Sequence, residues 1–157
     1  MLSASLYPFV YSDTISIEAY RPGSVDEARI IELIKTFHKA GQVRDLKTYL
    51  SCLSPKGRFM FSGGLMVSKE QLRLLLPEFW TDLENNASLT RAASRESMNG
   101  NFLRGSLYDP RVSVQGLRAG ASLTFSDDKT GWKTVLFMEF ENQDQEWKIL
   151  RFEWDMG

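Results

Sequence analysis

With 157 residues, 43% of them hydrophobic and 25% charged, the chain has the size and composition of one globular domain that buries a core, which excludes a disordered polypeptide. Its 19 Lys and Arg against 20 Asp and Glu give a net charge of -1, whereas a nucleic-acid-binding protein normally shows a basic excess. No stretch approaches the roughly 18 apolar residues of a membrane span, and a single cysteine excludes an internal disulfide.

The first 23 residues are predicted to form an N-terminal arm, followed by a single domain over residues 24–157. Within the arm, Ile15, Ile17 and Ala19 alternate with polar residues as in a short strand. The segment has neither a basic n-region nor a long apolar stretch, so it does not resemble a signal peptide. We therefore expect a cytoplasmic protein.

Two helices are predicted near residues 25–40 and 45–54. Ser24 and Glu27 have the spacing of a capping box, in which each side chain hydrogen-bonds an amide at the start of the helix. Asp45 is a favourable N-cap for the second helix. In both segments apolar residues recur at helical spacing, which indicates one buried side.

A turn at 54–57 and a short strand at 58–61 are predicted next, before a third helix near 69–84 that begins at another capping box. Pro77 lies within this third helix and lacks the amide hydrogen of an ordinary residue. We therefore expect a kink there or a break into two helices.

After residue 86 the apolar pattern changes from helical to alternating and stays alternating. Four strands are predicted, at about 88–98, 111–125, 132–141 and 147–155, with a turn at 142–145 and with Gly116 and Gly120 as bends or bulges in the second strand. Helices followed by an antiparallel meander are typical of an α+β fold.

Two segments carry a resemblance to a known superfamily: DPRVSVQGLRAGASLTF at 109–125 and WKTVLFMEFENQDQEWKILRFEWD at 132–155. Over about residues 24–156 the chain resembles the nuclear transport factor 2-like superfamily, including its SnoaL-like polyketide cyclase and ketosteroid isomerase-like domains. This resemblance implies a cone: three N-terminal helices pack on a strongly curved antiparallel sheet and enclose a pocket. Many members dimerise through the outer face of the sheet.

The catalytic residues of these enzymes do not transfer to this chain. The general-base position of the ketosteroid isomerases falls at Phe61 or Ser62, and their second acid falls at Leu136 or Met138, none of which is a carboxylate. The scytalone dehydratase pattern needs two histidines, and this chain has one. The resemblance therefore implies a fold without fixing a reaction.

Two residues are candidates for acid–base chemistry. His38 is the single histidine and titrates near neutrality, so it is a candidate general acid or base; the alternative is a histidine that caps the helix end or simply packs. Glu139 is a candidate base if it is buried, and it shares this hypothesis with Glu96; the alternative is a strand glutamate that points to water. With no second histidine or cysteine cluster, neither a metal site nor a cofactor is predicted.

The resemblance also places a set of aromatic, methionine and serine side chains around the pocket. This predicted lining comprises Phe37, Phe61, Trp80, Ser94, Trp132, Met138, Phe152 and Trp154. Such a lining suits a flat apolar ligand. The alternative is that the same residues form an ordinary packed core.

Two classes of function follow. The first, which the expected cavity favours, is a small-molecule-binding protein, acting as an isomerase, cyclase or dehydratase on a hydrophobic ligand. The second is a non-catalytic homodimeric adaptor that uses its outer sheet face. In both cases Val135 and Phe137 alternate with inward residues and predict a homodimer, while neither nucleic acid nor membrane is expected as a partner.

Overall fold

A computed structural model describes residues 14–61, 64–85, 105–128 and 131–155 of the chain. After a 3-10 turn at Ile17–Ala19 come helices and strands in this order: α1 Val25–Val43, α2 Leu46–Ser51, β1 Leu53–Met60, β2 Met66–Val67, α3 Lys69–Asn85, β3 Gly105–Gln115, β4 Arg118–Asp127, β5 Lys133–Gln143 and β6 Glu146–Trp154. The α+β plan is confirmed. The predicted strand at 88–98 lies outside the described residues.

The strands form one curved, open sheet in the order β2-β1-β6-β5-β4-β3. Strands β3 to β6 are an antiparallel meander. Strand β1 pairs with β6 in parallel, so the expected antiparallel sheet is in fact mixed. The reason is that β1 lies beside the last strand of the meander, and no hairpin connects the two to impose opposite directions.

The predicted helix starts are confirmed by their capping hydrogen bonds. The amide of Glu27 donates to Ser24 Oγ at 3.1 Å, and Asp45 accepts from the amide three residues later at 3.1 Å. At α3 the exchange is reciprocal: the amide of Ser68 donates to Gln71 Oε1 at 2.8 Å, and the amide of Gln71 donates to Ser68 Oγ at 3.2 Å. These bonds satisfy amides that have no partner inside the helix.

Helix α3 runs through Pro77 as a single helix, so the expected break into two helices is wrong. Leu72 and Leu76 on one side of the proline and Trp80 on the other are all buried. Because burial of this continuous apolar side outweighs the one lost backbone hydrogen bond, the helix continues.

The turn predicted at 54–57 is also wrong, because these residues lie within β1. The pairing moves from Leu53 opposite Ile149 to Arg58 opposite Arg151, so four residues of β1 face the single residue Leu150. The turn-forming sequence Ser-Pro-Lys-Gly therefore makes an irregular bulge in a strand.

A hairpin divides the strand predicted at 111–125 into β3 and β4. Its two-residue turn is Gly116–Leu117, and Gly116 has φ 62°, as the first position of a type II′ turn requires. The turn predicted at 142–145 is confirmed: Asp144 and Gln145 have φ 52° and 69°, both positive as in a type I′ turn.

An irregularity in β6 changes the predicted alternation of its side chains. Trp147 and Ile149 are buried before it, and Phe152 and Trp154 are buried after it. The extra residue is Leu150, which is half-buried because the register shifts there.

The end of the arm packs on the domain as a 3-10 turn, which corrects the expected short strand. Ile17 is buried, and Ser16 forms a single bridge with Tyr108 of β3. The core lies between the helices and the sheet face that they cover, here called the inner face. The opposite side of the sheet is called the outer face. Within the described residues, none of the helices has the length and apolarity needed to cross a membrane.

Candidate functional site

Four of the eight predicted pocket residues meet in one aromatic cluster on the inner face. The ring of Phe37 in α1 lies 5.4 Å from that of Phe152 in β6, and Phe152 lies 5.8 Å from Trp154. Tyr49 of α2 lies 4.4 Å from Phe37 and 5.7 Å from Trp80 of α3. The three helices and the sheet therefore touch through these rings.

The remaining members of the predicted lining lie around that cluster or outside the described residues. Met138 is buried on β5. Phe61 is buried against Phe79, with ring centroids 5.2 Å apart. Trp132 is half-buried and packs on Phe125 at 6.4 Å. Ser94 lies outside the described residues, so its predicted role is untested.

The rings of this cluster pack against one another and lie away from solvent. Phe37, Phe152 and Trp154 are each no more than 2% exposed, and Trp80 is 4% exposed. Protein interiors pack at the density of organic crystals, so rings in mutual contact leave no room between them for a ligand. These four rings therefore pack as a core, and the predicted pocket lining stays a prediction.

His38 lies on α1 next to the start of β3 and is buried. Its burial lowers the pKa of the imidazole from the usual 6.5, against the opposing effects of a hydrogen bond with the backbone of Gly105 and of the charges on Glu18 and Asp128. The Gly105 carbonyl also accepts from Gln42 Nε2 at 3.2 Å. His38 therefore stays neutral at pH 7 and helps join α1 to β3.

The second acid–base candidate lies on the other side of the sheet. Glu139 is exposed on the outer face, between the buried residues Met138 and Phe140, so the expectation of a buried carboxylate is wrong. Side chains point alternately to the two faces of a strand. The structure therefore does not bring Glu139 and His38 together, and an acid–base role for either one stays a prediction.

A different glutamate, which sequence analysis missed, is buried on the outer face. Glu141 is 6% exposed and accepts a hydrogen bond from Ser54 Oγ at 3.2 Å. Lys56 Nζ lies 3.2 Å from its Oε1, and Gln143 Nε2 also donates to the carboxylate. Burial works against ionisation, but these hydrogen bonds and the lysine charge outweigh it and hold the pKa of Glu141 below the usual 4.5.

This polar cluster anchors the bulge of β1 to β5. Ser54 and Lys56 both come from the irregular segment, and the Ser54 hydroxyl additionally accepts from the amide of Lys56 at 3.3 Å and from Gln143 Nε2 at 3.0 Å. The i, i+2 spacing of Glu141 and Gln143 placed them on one face of a strand. No signal in the sequence showed that residues 54–56 would lie beside them.

The described residues offer little to a metal or a nucleophilic mechanism. Among residues 14–61, 64–85, 105–128 and 131–155, no group of three or more His, Cys, Asp or Glu side chains is close enough together to hold a metal ion. Burial raises the pKa of the Cys52 thiol to about 11, so it stays protonated at neutral pH.

Two open grooves lie on the described part of the surface, and one of them reaches the aromatic cluster at Trp80. One, of about 310 Å³, lies at the β3–β4–β5 region between Gln115, Gly120 and Glu139. The other, of about 360 Å³, lies between the end of α1 and α3, where Arg44, Pro77 and Trp80 form part of its wall. Trp80 is the one predicted lining residue that reaches either groove.

The outer face carries exposed apolar side chains at its centre. On β5, Phe137 is 47% exposed and Val135 is 37% exposed, while their neighbour Leu136 is 1% exposed. The predicted alternation of this strand is therefore confirmed. A phenylalanine half in water in the middle of a sheet is the kind of exposed apolar surface that marks interaction sites.

Solved structures with this fold are numerous, although no family model matches the sequence and no curated protein does so significantly. A nuclear transport factor 2-like protein of unknown function from Shewanella oneidensis is 12% identical, with 83% of this chain and 98% of that chain covered and a TM-score of 0.61. One from Pseudomonas putida, also of unknown function, is 12% identical, with 86% and 89% covered and a TM-score of 0.58.

A third similar structure is described as a putative calcium/calmodulin-dependent protein kinase II association domain from Xanthomonas campestris. It is 16% identical, with 93% of this chain and 95% of that chain covered and a TM-score of 0.58. At these identities the similarity establishes the fold alone. The chain has the nuclear transport factor 2-like fold that its sequence predicted.

Proposed function

We propose that this protein is an association domain in which two copies bind each other through the outer face of the sheet. The observation that carries this proposal is the exposure of Phe137 and Val135 at the centre of that face, over an interior packed with aromatic rings. Covering a side chain such as Phe137 is worth about 1.5–3 kcal/mol when burial is complete. This gain favours a state in which a second surface removes it from water.

The contrast between the two faces supports association over ligand binding in the cone. On the inner face, Phe37, Phe152 and Trp154 already contact one another and their neighbours. On the outer face, none of the helices and strands in the described part of the chain packs above the apolar side chains. The surface that needs a partner is therefore the outer one.

One solved structure with a similar fold also supports association. The Xanthomonas campestris structure, similar over 93% of this chain, is described as an association domain. That description belongs to the other protein, and it supports the proposal only as an example of this fold used for association.

Sedimentation velocity tests the proposal directly. At tens of micromolar the protein is expected to sediment at twice the chain mass of 18.0 kDa. Phe137→Ser is expected to shift the equilibrium to monomer. Leu74→Ser is the matched control, because Leu74 is 76% exposed but lies on α3. A wild-type monomer at these concentrations, or equal effects of the two variants, contradicts the proposal.

Binding of a small hydrophobic molecule is a second candidate, and the groove beside Trp80 is the observation that favours it. Leu46, Pro77 and Trp80 give this groove an apolar wall, which would suit a ligand with an apolar body. Its place is at the edge of the helices, outside the packed cone.

Titration with the apolar anionic dye anilinonaphthalene sulfonate tests this second candidate. Saturable binding is expected with the wild type and should be lost in Thr81→Trp, which fills the groove. Thr48→Trp, on α2 and away from that wall, is the control. Absence of saturable binding, or equal binding by both variants, rules this candidate out.

A further inference from the structure

We infer that the two copies pair about a two-fold axis that runs along the strands between β4 and β5, with Arg111 of each copy facing Glu153 of the other. This inference rests on the proposed association through the outer face. It adds the register of the pair and the charged contact that fixes it.

The first step is the order of side chains across the outer face. Arg111 pairs with Ser122, Ser122 pairs with Phe137, and Phe137 pairs with Glu153. These four residues therefore form one row across β3, β4, β5 and β6. The row begins with a positive charge, ends with a negative charge and has an exposed aromatic ring beside a small residue at its centre.

The second step is the difference in size between the two central strands. The outward residues in the middle of β4, after Arg118 at its start, are small: Gly120, Ser122 and Thr124. Phe137 and Val135 of β5 lie beside Ser122 and Thr124, respectively. The groove of about 310 Å³ at Gly120 adjoins this low strip. Phe137 and Val135 thus form a ridge along β5, and the small residues of β4 form a hollow beside it.

The third step is what symmetry does to this arrangement. Two such faces can meet about a two-fold axis that runs parallel to the strands, midway between β4 and β5. Strand β4 of one copy then lies over β5 of the other, and β3 lies over β6. Phe137 of one copy then lies over Ser122 of the second copy, so ridge meets hollow twice. In the same row, Arg111 lies over Glu153 of the second copy, also twice.

A two-fold axis at right angles to the strands gives the opposite result. With the axis along this row, each strand crosses its own copy, so Arg111 faces Arg111 and Glu153 faces Glu153. Phe137 also meets Phe137, ridge against ridge. Like charges opposed across an interface are strongly unfavourable, so the axis parallel to the strands is the favoured one.

Glu153 can accept a hydrogen bond from the second copy. Arg151 Nε of the same chain holds its Oε2, which leaves Oε1 for an arginine of the second copy, because a carboxylate has two acceptor oxygens. The Glu153 side chain is 33% exposed. Arg111 is exposed at the start of the row.

The test is charge reversal followed by mixing, read by sedimentation equilibrium. Arg111→Glu alone places like charges opposite each other twice, and so does Glu153→Arg alone, so each is expected to raise the dimer dissociation constant about 100-fold. An equimolar mixture of the two variants restores opposite charges at both contacts and is expected to form a heterodimer near wild-type strength. Arg29→Glu, on the exposed side of α1, is the matched control and should leave the dimer unchanged.

The outcomes separate this inference from the proposed function. Restoration in the mixture supports the register, and a mixture as weak as the single variants overturns it. If Phe137→Ser breaks the dimer while neither charge reversal does, association through the face stands and the register is wrong. If the wild type is monomeric, both fail. Circular dichroism of each variant shows that a lost dimer is not a lost fold.

Discussion

The side chains on the two faces of strand β5 differ in their exposure to water. Leu136, Met138 and Phe140 are at most 3% exposed and belong to the core, whereas Val135 and Phe137 alternate with them and meet water. The inner face has aromatic rings from the helices packed onto it, whereas no layer covers the outer face among residues 14–61, 64–85, 105–128 and 131–155. The apolar residues of the same strand therefore serve stability on one side and remain available for association on the other.

The largest expected effect comes from removing a ring on the inner face. Phe152→Ala deletes a fully buried ring that contacts Phe37 and Trp154, so it should lower the free energy of unfolding by about 3–5 kcal/mol. Phe137→Ala, measured at low protein concentration where association does not contribute, should cost less than about 1 kcal/mol. Urea denaturation of both variants measures the difference, and equal losses would contradict the division between the faces.

A smaller effect is expected from adding one methyl group at a glycine on each face. At Gly105, the new carbon would overlap the ring of Phe125, so Gly105→Ala should cost about 1–3 kcal/mol through overpacking. At Gly120, the nearest atom is the Met138 carbonyl oxygen at 3.8 Å, so Gly120→Ala should leave folding nearly unchanged. Thermal unfolding of the two variants compares them, and similar melting temperatures would show that the inner face has room to spare.

Glu141 is the exception on the outer face, because it is buried there among polar partners. Glu141→Gln should lower stability by about 1 kcal/mol, a modest value because the Lys56 and Arg118 side chains that face it are largely exposed. Since folding holds the pKa of Glu141 below the usual 4.5, its contribution is present above that pH and is lost as the pH falls further. Urea midpoints between pH 3 and 7 should therefore fall more steeply for the wild type than for the variant.

The smallest effect is expected at His38 and depends on pH. Because burial lowers the pKa of His38 in the folded state, the unfolded chain binds the proton more readily. His38 therefore destabilises the fold as the pH falls below the usual 6.5, and its neutral form is fully favourable above that value. Stability of the wild type should decline from pH 7 to 5 more than that of His38→Gln, and parallel curves would show that His38 is not the group that titrates.

Local sequence signals predicted most elements of this fold. The features that they missed depend on which strands pair with each other. The caps at Ser24 and Asp45 and the alternation of the late strands depend on residues near one another in sequence. The bulge at residues 54–57 and the extra residue Leu150 depend on which strands pair. The sequence at 54–57 was therefore correctly identified as irregular, but its position inside a strand could not be predicted from local signals. Gly116 was correctly marked as a break, but as a bend instead of a hairpin turn.

The candidate site was less predictable for a related reason. Alternation and helical spacing identified Phe37, Met138 and Phe152 as inward side chains, and they are. Whether inward rings line a pocket or fill it depends on the distance between layers and on how the rings tilt, which no local pattern contains. The burial of Glu141 likewise required a distant partner, Ser54, from the bulge.

The parallel pairing of β1 with β6 has a consequence for how the molecule is made. Strand β6 lies between β1 and β5, so β1 stays apart from strands β3 to β5 until β6 has been synthesised. Until then β1 and β5 each present an unpaired edge, the kind of surface that recruits other chains. Contacts between residues so far apart in sequence also slow folding. The nascent chain is therefore open to wrong partners at the edges of β1 and β5 until β6, the strand that also supplies Glu153 to the proposed dimer, has been made.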